Sequence, residues 1–239
     1  MVTQKTKRQR VAVAIITHKD QPDRMEQLSF LQCISVLKDH PIFLICPDNL
    51  GMNYYRDLDF DQFDIRPVSH KHLNSKLSYN RFKKSKEFYQ QFDEFDFVLT
   101  YELDSYVFTD RLLEWCDSGF DYVGAPWFEG FESPKKPLKF RGVGNSGFSL
   151  RNVSACLKVL RNYSPVDDGN EDVFWGLVVP QKCSFFKVAP PEIALKFSFE
   201  VKPKYLYTVN NKQLPFGCHA WNRYEPKFWR QFIELSGTG

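Results

Sequence analysis

The fold is most clearly indicated by Phe97-Val-Leu-Thr-Tyr-Glu-Leu-Asp104, a short apolar run that ends in two acidic residues. Such a run is typical of a strand that is buried on both faces. Two similar runs precede it at residues 11–16 and 41–46, and helical patterns separate the three. Strands that alternate with helices predict an α/β protein with an open, mostly parallel sheet. Because ligands bind such a sheet at the carboxyl ends of its strands, the acidic residues should lie at a binding rim.

The other elements have weaker patterns. Residues 63–68 predict an edge strand, because Pro67 cannot donate a hydrogen bond to a central ladder. Residues 78–92 predict one amphipathic helix whose aromatic residues share a face, and another helix is predicted from about Val153. Short strands surround them, without an internal repeat or a flexible linker. We therefore expect a single domain over residues 1–239.

Composition excludes several classes of protein. The 239 residues are 43% hydrophobic and 16% aromatic, which suits a globular core and excludes a disordered chain. The 32 basic and 29 acidic residues leave a net charge of +3, so we expect no nucleic-acid partner. Six cysteines without paired spacing predict buried free thiols and a cytoplasmic location. No apolar stretch is long enough for a transmembrane segment. The basic N-terminus, with Lys5, Lys7, Arg8 and Arg10, suggests at most weak peripheral contact with a membrane.

Glu102 and Asp104 form the first candidate site. Carboxylates two residues apart at a strand end point to the same side, so both can approach one divalent cation or a cation-bound phosphate. The plain alternative is that the two acids cap a turn, since acidic triplets are common. Two uncompensated charges are costly at the end of a buried strand, and a metal ion would compensate them.

Gly142-Val-Gly-Asn-Ser-Gly147 matches the dinucleotide-binding fingerprint G-x-G-x-x-G. That fingerprint must follow the first strand and open a helix, whereas this one lies past the middle of the chain and runs into strand-like residues. We therefore reject a dinucleotide site. The small residues suit either a close approach of the backbone to a polar ligand or an ordinary turn.

Two later segments carry further candidates. Glu171 and Asp172 precede an apolar, aromatic run, which indicates either a helix start with acids in its first turn or a desolvated carboxylate that acts as a general base. The residues alone do not choose between the two acids. His219 lies in a loop among glycine, proline and aromatic residues. A lone histidine is more often structural, but a neutral imidazole suits a manganese-like ion.

Several short motifs recur in the order of a known family. They are Tyr79-Asn80…Phe82…Ser85…Phe88-Tyr89…Phe92, Glu102-x-Asp104, Asp121-Tyr-Val-Gly-Ala-Pro-Trp127, Gly144-Asn-x-Gly-Phe-Ser-Leu-Arg151, Glu171-Asp-Val-Phe174, Pro191-x-x-x-Ala194-x-x-Phe197-x-x-Glu200 and Pro215-Phe-Gly-x-His219-x-Trp221. The ordered set spans nearly the whole chain and resembles a family of bacterial and viral glycosyltransferases.

This resemblance implies a GT-A fold, in which a Rossmann-like, mostly parallel sheet flanked by helices binds the nucleotide. A smaller, acceptor-binding half with a mixed sheet would follow, and the halves would span residues 11–108 and 109–230. The implied activity is metal-dependent transfer of a hexose from a nucleotide-sugar, with a UDP-sugar favoured, to a hydroxyl of a glycan or glycolipid. The implied cofactor is Mn²⁺ or Mg²⁺. The alternatives are a metal-dependent phosphohydrolase or nucleotidyltransferase, and an inactive module that binds nucleotide-sugars.

The resemblance also implies roles for particular residues. Asp104 matches the key acid of the family's metal-binding triplet, and His219 matches a late metal-ligating histidine. Glu102 departs both from the Asp of typical GT-A enzymes and from the Gln of the family's Q-x-D form. Glu171 and Asp172 match the segment that supplies the base in inverting members, and we favour Asp172. Further candidates are Thr17, His18, Asn80 and Lys84 for the nucleotide, and Trp127, Asn145, Gly147, Trp175 and Trp221 for the sugar and acceptor, with the indole rings stacking on a sugar.

Overall fold

A six-stranded sheet lies at the centre of the protein. This computed structural model describes residues 9–58, 63–165 and 169–233. The strands are β1 (Gln9–Ile16), β2 (Ile42–Pro47), β3 (Asp64–Val68), β4 (Phe95–Glu102), β5 (Tyr106–Val107), β6 (Tyr122–Val123), β7 (Ala125–Phe128), β8 (Phe140–Gly144), β9 (Phe148–Asn152), β10 (Ser198–Phe199) and β11 (Gly217–Cys218). The helices are α1 (Arg24–Val36), α2 (Asn53–Arg56), α3 (Lys76–Lys83), α4 (Lys86–Gln90), α5 (Leu112–Cys116), α6 (Val153–Asn162), α7 (Glu171–Val173), α8 (Val179–Lys182), α9 (Pro191–Phe197), α10 (Pro203–Val209) and α11 (Pro226–Trp229). A 3₁₀ turn covers His70–His72, and a π-helical turn covers Phe174–Val178.

The central sheet has the strand order β3-β2-β1-β4-β9-β6. β1 pairs in parallel with both β2 and β4, and β2 pairs in parallel with β3. β9 runs antiparallel to its neighbours β4 and β6. The predicted α/β fold with a mostly parallel sheet is therefore confirmed, and β3 lies at the edge as predicted.

β1 is buried on both faces because it lies inside the sheet. Its residues from Val11 to Ile16 are at most 5% exposed. Successive side chains of a strand point to opposite faces. One alternating set packs in a cluster with Phe82 and Phe88 of α3 and α4, and the other packs with Phe30 and Ile34 of α1. Helices thus cover both faces of the sheet and leave the strand ends open.

Two smaller sheets lie beside the central one. β10 is parallel to β11, and β5 is antiparallel to β11, which makes a three-stranded mixed sheet. β7 and β8 form an antiparallel pair. β6 and β9 follow residue 108 in the chain, yet they complete the central sheet. The expected halves, residues 11–108 and 109–230, therefore share one sheet.

The single helix predicted over residues 78–92 is wrong, because the structure has two helices there. α3 ends at Lys83 and α4 begins at Lys86. Ser85 makes the break: its hydroxyl accepts a hydrogen bond from the Phe88 N–H at 3.2 Å and so caps α4. The helix predicted from about Val153 is confirmed as α6.

All six cysteines are free and buried, as their spacing predicted. Across the described ranges, no helix combines the length and the apolar character that a membrane crossing requires. Of the basic N-terminal residues, Lys5, Lys7 and Arg8 lie outside the described residues. Arg10 belongs to β1 and forms an ion pair with Asp96 at 3.2 Å, so it is not part of a free basic tail.

Candidate active site

A cavity of about 540 Å³ opens at the carboxyl ends of β1 and β4. Thr17 directly follows β1, and Glu102 is the last residue of β4. Both therefore lie at the rim where a parallel sheet binds its ligands. Many of the predicted site residues line this cavity, namely Thr17, His18, Asn80, Glu102, Asp104, Asp172 and His219.

Glu102, Asp104 and His219 form a compact cluster in the cavity. One ligand atom from each lies within 4.8 Å of those of the other two. His219 Nε2 is 3.2 Å from Asp104 Oδ1 and 3.7 Å from Glu102 Oε2. His219 reaches this position because it follows β11, which pairs with β5, and β5 begins just after Asp104. A non-local strand pairing thus assembles the cluster.

The cluster has the chemistry and the space of a divalent-metal site. Two carboxylates supply hard oxygen ligands and the imidazole supplies a nitrogen, a set that suits Mn²⁺ or Mg²⁺. Gly147 backs the cluster closely: a Cβ there would lie 2.3 Å from His219 Nε2 and 3.1 Å from Glu102 Cβ. The Gly147 carbonyl also accepts the Glu102 backbone N–H at 2.8 Å. The residues present therefore fit such an ion.

Glu200 holds the other side of the His219 ring. Its Oε1 lies 3.1 Å from Nδ1, which leaves Nε2 to face Asp104 and Glu102. Burial alone lowers the pKa of His219, but the charges and hydrogen bonds of Asp104, Glu102 and Glu200 raise that pKa well above its ordinary value. Because metals bind neutral imidazole, an ion would enter this cluster in exchange for a proton.

The two carboxylate oxygens of Glu102 have different partners. Oε1 accepts hydrogen bonds from the hydroxyls of Tyr79 at 2.5 Å and Ser146 at 2.8 Å, and lies 3.5 Å from the Lys83 ammonium. Oε2 faces His219 instead. Burial raises the pKa of Glu102, but His219, Lys83 and Tyr79 together hold it well below its ordinary value. Glu102 is therefore ionised at neutral pH.

Glu171 is fully buried behind the cavity. Its carboxylate forms ion pairs with Arg151 at 2.8 Å and Lys83 at 3.1 Å, and its backbone N–H donates to Asn80 Oδ1 at 2.7 Å. Burial raises the pKa of Glu171, but Arg151 and Lys83 lower it overall. These contacts give Glu171 a structural role.

Asp172 is only half-buried and lines the cavity. Burial, followed by the charges of Glu171 and Glu200, raises the pKa of Asp172 to about 7. A carboxylate with such a pKa suits a general base at neutral pH. The π-helical turn that follows presses Gly176 against Val143, since a Cβ on Gly176 would lie 1.9 Å from the Val143 carbonyl oxygen. This close packing against β8 fixes the helix that carries Asp172.

The expected aromatic platform is not present, because the three tryptophans are buried. Trp175 is 0% exposed, Trp221 3% and Trp127 6%. The indole N–H of Trp175 donates to the Lys83 carbonyl at 3.2 Å, and that of Trp127 donates to Glu200 at 3.4 Å. Rings enclosed in this way have no open face on which a sugar can stack. Trp175 packs against Tyr89, and Trp221 packs against Tyr106 in another part of the core.

The other predicted site residues lie behind the cavity as well. Asn145 is fully buried, and its Oδ1 accepts the Phe148 N–H at 3.1 Å. Lys84 is also buried, and its Nζ donates to the Gly169 carbonyl at 2.8 Å. Neither residue lines the cavity. The glycine-rich motif joins β8 to β9 and opens no helix, in agreement with the rejected dinucleotide site.

The structure adds residues to which the sequence analysis gave no role: Tyr79, Lys83, Ser146 and Glu200. Tyr79 and Glu200 belong to the family motifs, but a motif does not show which atoms they contact. Lys83 lies among several lysines in a helical pattern, and nothing in the sequence distinguishes the buried one. Their roles appear only once the fold places them around Glu102 and His219.

The sequence belongs to a family that has no assigned function. Residues 62–219, more than half of the chain, match the family described as "Protein of unknown function (DUF5672)", so the chain is a member of it. No curated protein sequence matches the chain significantly.

Solved glycosyltransferase structures share its fold. The galactosyltransferase LgtC, in complex with donor and acceptor sugar analogues, is similar with a TM-score of 0.57 and 12% identity, over 95% of this chain and 92% of that one. The glycosyltransferase GlyE of Streptococcus pneumoniae TIGR4 is similar with a TM-score of 0.53 and 13% identity, over 95% of this chain and 62% of that one. The bifunctional glycosyltransferase WbbM is similar with a TM-score of 0.54 and 12% identity, over 94% of this chain and 48% of that one.

These comparisons confirm the GT-A fold that the motifs implied. At 12–13% identity they establish a shared fold and no shared activity. The chain spans about three fifths of the length of GlyE.

Proposed function

We propose that the chain is a metal-dependent glycosyltransferase that transfers a hexose from a nucleotide-sugar, preferably a UDP-sugar, to a hydroxyl of a glycan or glycolipid. The observation that carries this proposal is the presence of the carboxylate–imidazole cluster and of Asp172 in one cavity at the carboxyl ends of the strands. With a bound ion, the cluster suits a diphosphate, and Asp172 suits an acceptor hydroxyl. The shared fold with glycosyltransferases supports the same assignment.

Asp104, His219 and Oε2 of Glu102 would hold the ion, with Mn²⁺ or Mg²⁺ as the candidates. When bound, such an ion supplies positive charge that stabilises a departing diphosphate. The protein itself prepares the ligands: Glu200 orients His219, and Tyr79 and Ser146 hold Glu102.

Asp172 would act as the base. A sugar that loses its diphosphate is attacked by the acceptor hydroxyl, and the proton of that hydroxyl must go to a nearby acceptor atom. A carboxylate with a pKa of about 7 can take this proton at neutral pH and release it afterwards. Attack from the side opposite to the leaving group inverts the sugar. Glu171 cannot fill this role, because its carboxylate is buried between two cations.

Thr17, His18 and Asn80 would bind the nucleotide. All three line the part of the cavity that adjoins β1 and α3. The cavity volume of about 540 Å³ lies in the range of about 300–1,000 Å³ that is usual for small-molecule sites.

A transfer and hydrolysis screen tests the proposal. Nucleotide-sugars are incubated with the protein and Mn²⁺, and released nucleotide is measured with and without simple sugar acceptors. Asp104→Ala and Asp172→Asn should each lower turnover at least a hundredfold. Asp110→Asn, which removes an acid that pairs with His40 outside the cavity, is the matched control and should keep full activity.

Two outcomes would contradict the assignment. Full activity in both Asp104→Ala and Asp172→Asn would show that neither acid takes part in the reaction. Chelator-sensitive release of phosphate from substrates that contain no sugar would indicate a phosphohydrolase instead.

A further inference from the structure

Lys83 is a buried cation next to the carboxylate cluster. Its side chain is 0% exposed, and its Nζ lies 2.6 Å from the Ser146 carbonyl oxygen, 3.1 Å from Glu171 Oε1 and 3.5 Å from Glu102 Oε1. Glu171 has a cation of its own, because Arg151 contacts both of its carboxylate oxygens at 2.8 and 2.9 Å. Lys83 thus lies between two carboxylates, and because Arg151 already balances Glu171, the charge of Lys83 is available to balance Glu102.

We propose that Lys83 is a counter-ion of Glu102 that weakens the binding of a divalent cation when no nucleotide is bound. This inference rests on the proposed function, since it takes Glu102, Asp104 and His219 as the metal ligands. A fixed positive charge beside one ligand repels an arriving cation. The Lys83 ammonium lies 3.5 Å from Oε1 of Glu102, the oxygen that also accepts the hydroxyls of Tyr79 and Ser146, whereas Oε2 faces the cluster.

The consequence concerns how the ion and the donor bind. A site with this internal cation holds a divalent ion tightly only when a further anion joins it. The diphosphate of a nucleotide-sugar is such an anion. The ion and the diphosphate should therefore bind together, and each should strengthen the binding of the other.

Loss of Lys83 should change the charge of the site more than its geometry. Without the ammonium, the hydroxyls of Tyr79 and Ser146 still donate to Glu102. The Ser146 carbonyl keeps the hydroxyl of Thr100 at 3.0 Å. Each group that Lys83 contacts thus retains another partner, and an apolar side chain of similar length can fill the space.

Isothermal titration of the full chain with Mn²⁺, without nucleotide, tests this role. Lys83→Met removes the charge and the hydrogen bonds, whereas Lys83→Gln removes the charge and keeps an N–H donor. Both variants should lower the Mn²⁺ dissociation constant at least tenfold.

Lys84→Met is the matched control. It removes the adjacent buried lysine, whose Nζ is bound to the Gly169 carbonyl and not to Glu102. The Mn²⁺ dissociation constant should stay within twofold of that of the wild type. If Lys84→Met raised the Mn²⁺ affinity as much as the Lys83 variants do, the proposal would be overturned, because the loss of any nearby positive charge would then explain the gain.

Other results separate the two proposals. A dissociation constant that is unchanged or higher in both Lys83 variants overturns the role of Lys83. If Asp104→Ala and His219→Ala leave Mn²⁺ binding unaltered, the metal site of the proposed function fails. Thermal unfolding then decides the counter-ion role without metal: Lys83→Met with Glu102→Gln should melt at a higher temperature than Lys83→Met alone. A lower or equal melting temperature of the double variant overturns it.

Discussion

Two adjacent acids in this protein, Glu171 and Asp172, have opposite surroundings. Glu171 is paired with Arg151 and Lys83 inside the protein, whereas Asp172 lines the cavity and forms no ion pair with any of the described residues. The sequence could not separate them, because both occupy the first turn of one short helix. Their surroundings come from residues that are distant in the chain.

Asp172 should impose a pH dependence on both activity and stability. Its pKa is about 7 in the folded protein and about 3.9 in an unfolded chain. Turnover should therefore fall as the pH decreases below about 7, where the base becomes protonated. The ionised carboxyl destabilises the fold above pH 7, and this penalty disappears as the pH falls towards 4.

Asp172→Asn should consequently lower turnover at every pH, and the residual turnover should no longer fall as the pH decreases below about 7. It should also stabilise the protein by about 1–3 kcal/mol at pH 8 and by much less at pH 4. Urea unfolding at the two pH values measures this difference. As a contrast, Glu171→Gln leaves the buried Arg151 without its carboxylate and should destabilise the protein by about 3 kcal/mol. Equal stability of Asp172→Asn and wild type at pH 8 would show that the Asp172 pKa is ordinary.

Glu200 should act through His219. Glu200→Ala removes the partner of Nδ1, so the imidazole loses its fixed orientation, and Mn²⁺ affinity should fall by about 10- to 100-fold. Glu132→Ala removes the same charge at the cavity rim, where Glu132 pairs with Arg223 in an exposed ion pair. Calorimetric titration of both variants compares them. Similar losses would mean that Glu200 contributes only its charge.

At the level of the elements, the turn between β8 and β9 leaves room for the cluster because Gly147 has no side chain. Gly147→Ala would place a methyl group 2.3 Å from His219 Nε2, so the imidazole must move away from Asp104. Mn²⁺ affinity and turnover should both fall at least tenfold.

Gly51→Ala is the control for this substitution. The atoms nearest to the new methyl group would belong to the Asp20 side chain, at 3.1 Å, outside the cavity. Wild-type Mn²⁺ affinity in Gly147→Ala would show that His219 does not need its observed position.

Local patterns predicted the elements better than the contacts between them. The strands near residues 11–16, 41–46 and 97–101 were predictable, because a run of apolar residues between turn signals needs no long-range information. The break at Ser85 was missed because the aromatic periodicity continues through it, and only the hydroxyl cap reveals it. The site shows the same division: Asp104 follows from its strand, but the approach of His219 depends on the pairing of β11 with β5.

At the level of the whole molecule, the central sheet joins both parts of the chain. β9 inserts between β4 and β6, and Arg151 of β9 forms a buried pair with Glu171. We therefore predict one cooperative unfolding transition, monitored in parallel by far-UV circular dichroism and tryptophan fluorescence. Two separate transitions would show that the two expected halves, residues 11–108 and 109–230, fold independently.

The placement of the tryptophan rings was the least predictable feature of the whole molecule. Tryptophans in motif-bearing loops suggested a sugar platform, since sequence position shows proximity to a motif and not the direction of a ring. In the fold these rings pack inward, and one of them, Trp127, supports Glu200 from behind. Burial is a property of the assembled tertiary structure, which one segment does not contain.

The six buried thiols have a practical consequence for spectroscopy. Because every cysteine of the chain is buried, maleimide reagents should react slowly with the native protein. A single cysteine introduced at Glu132, on the exposed rim of the cavity, would then carry a fluorophore without removal of any natural residue elsewhere. Such a conjugate would test optically and in real time whether the proposed nucleotide-sugar enters the cavity.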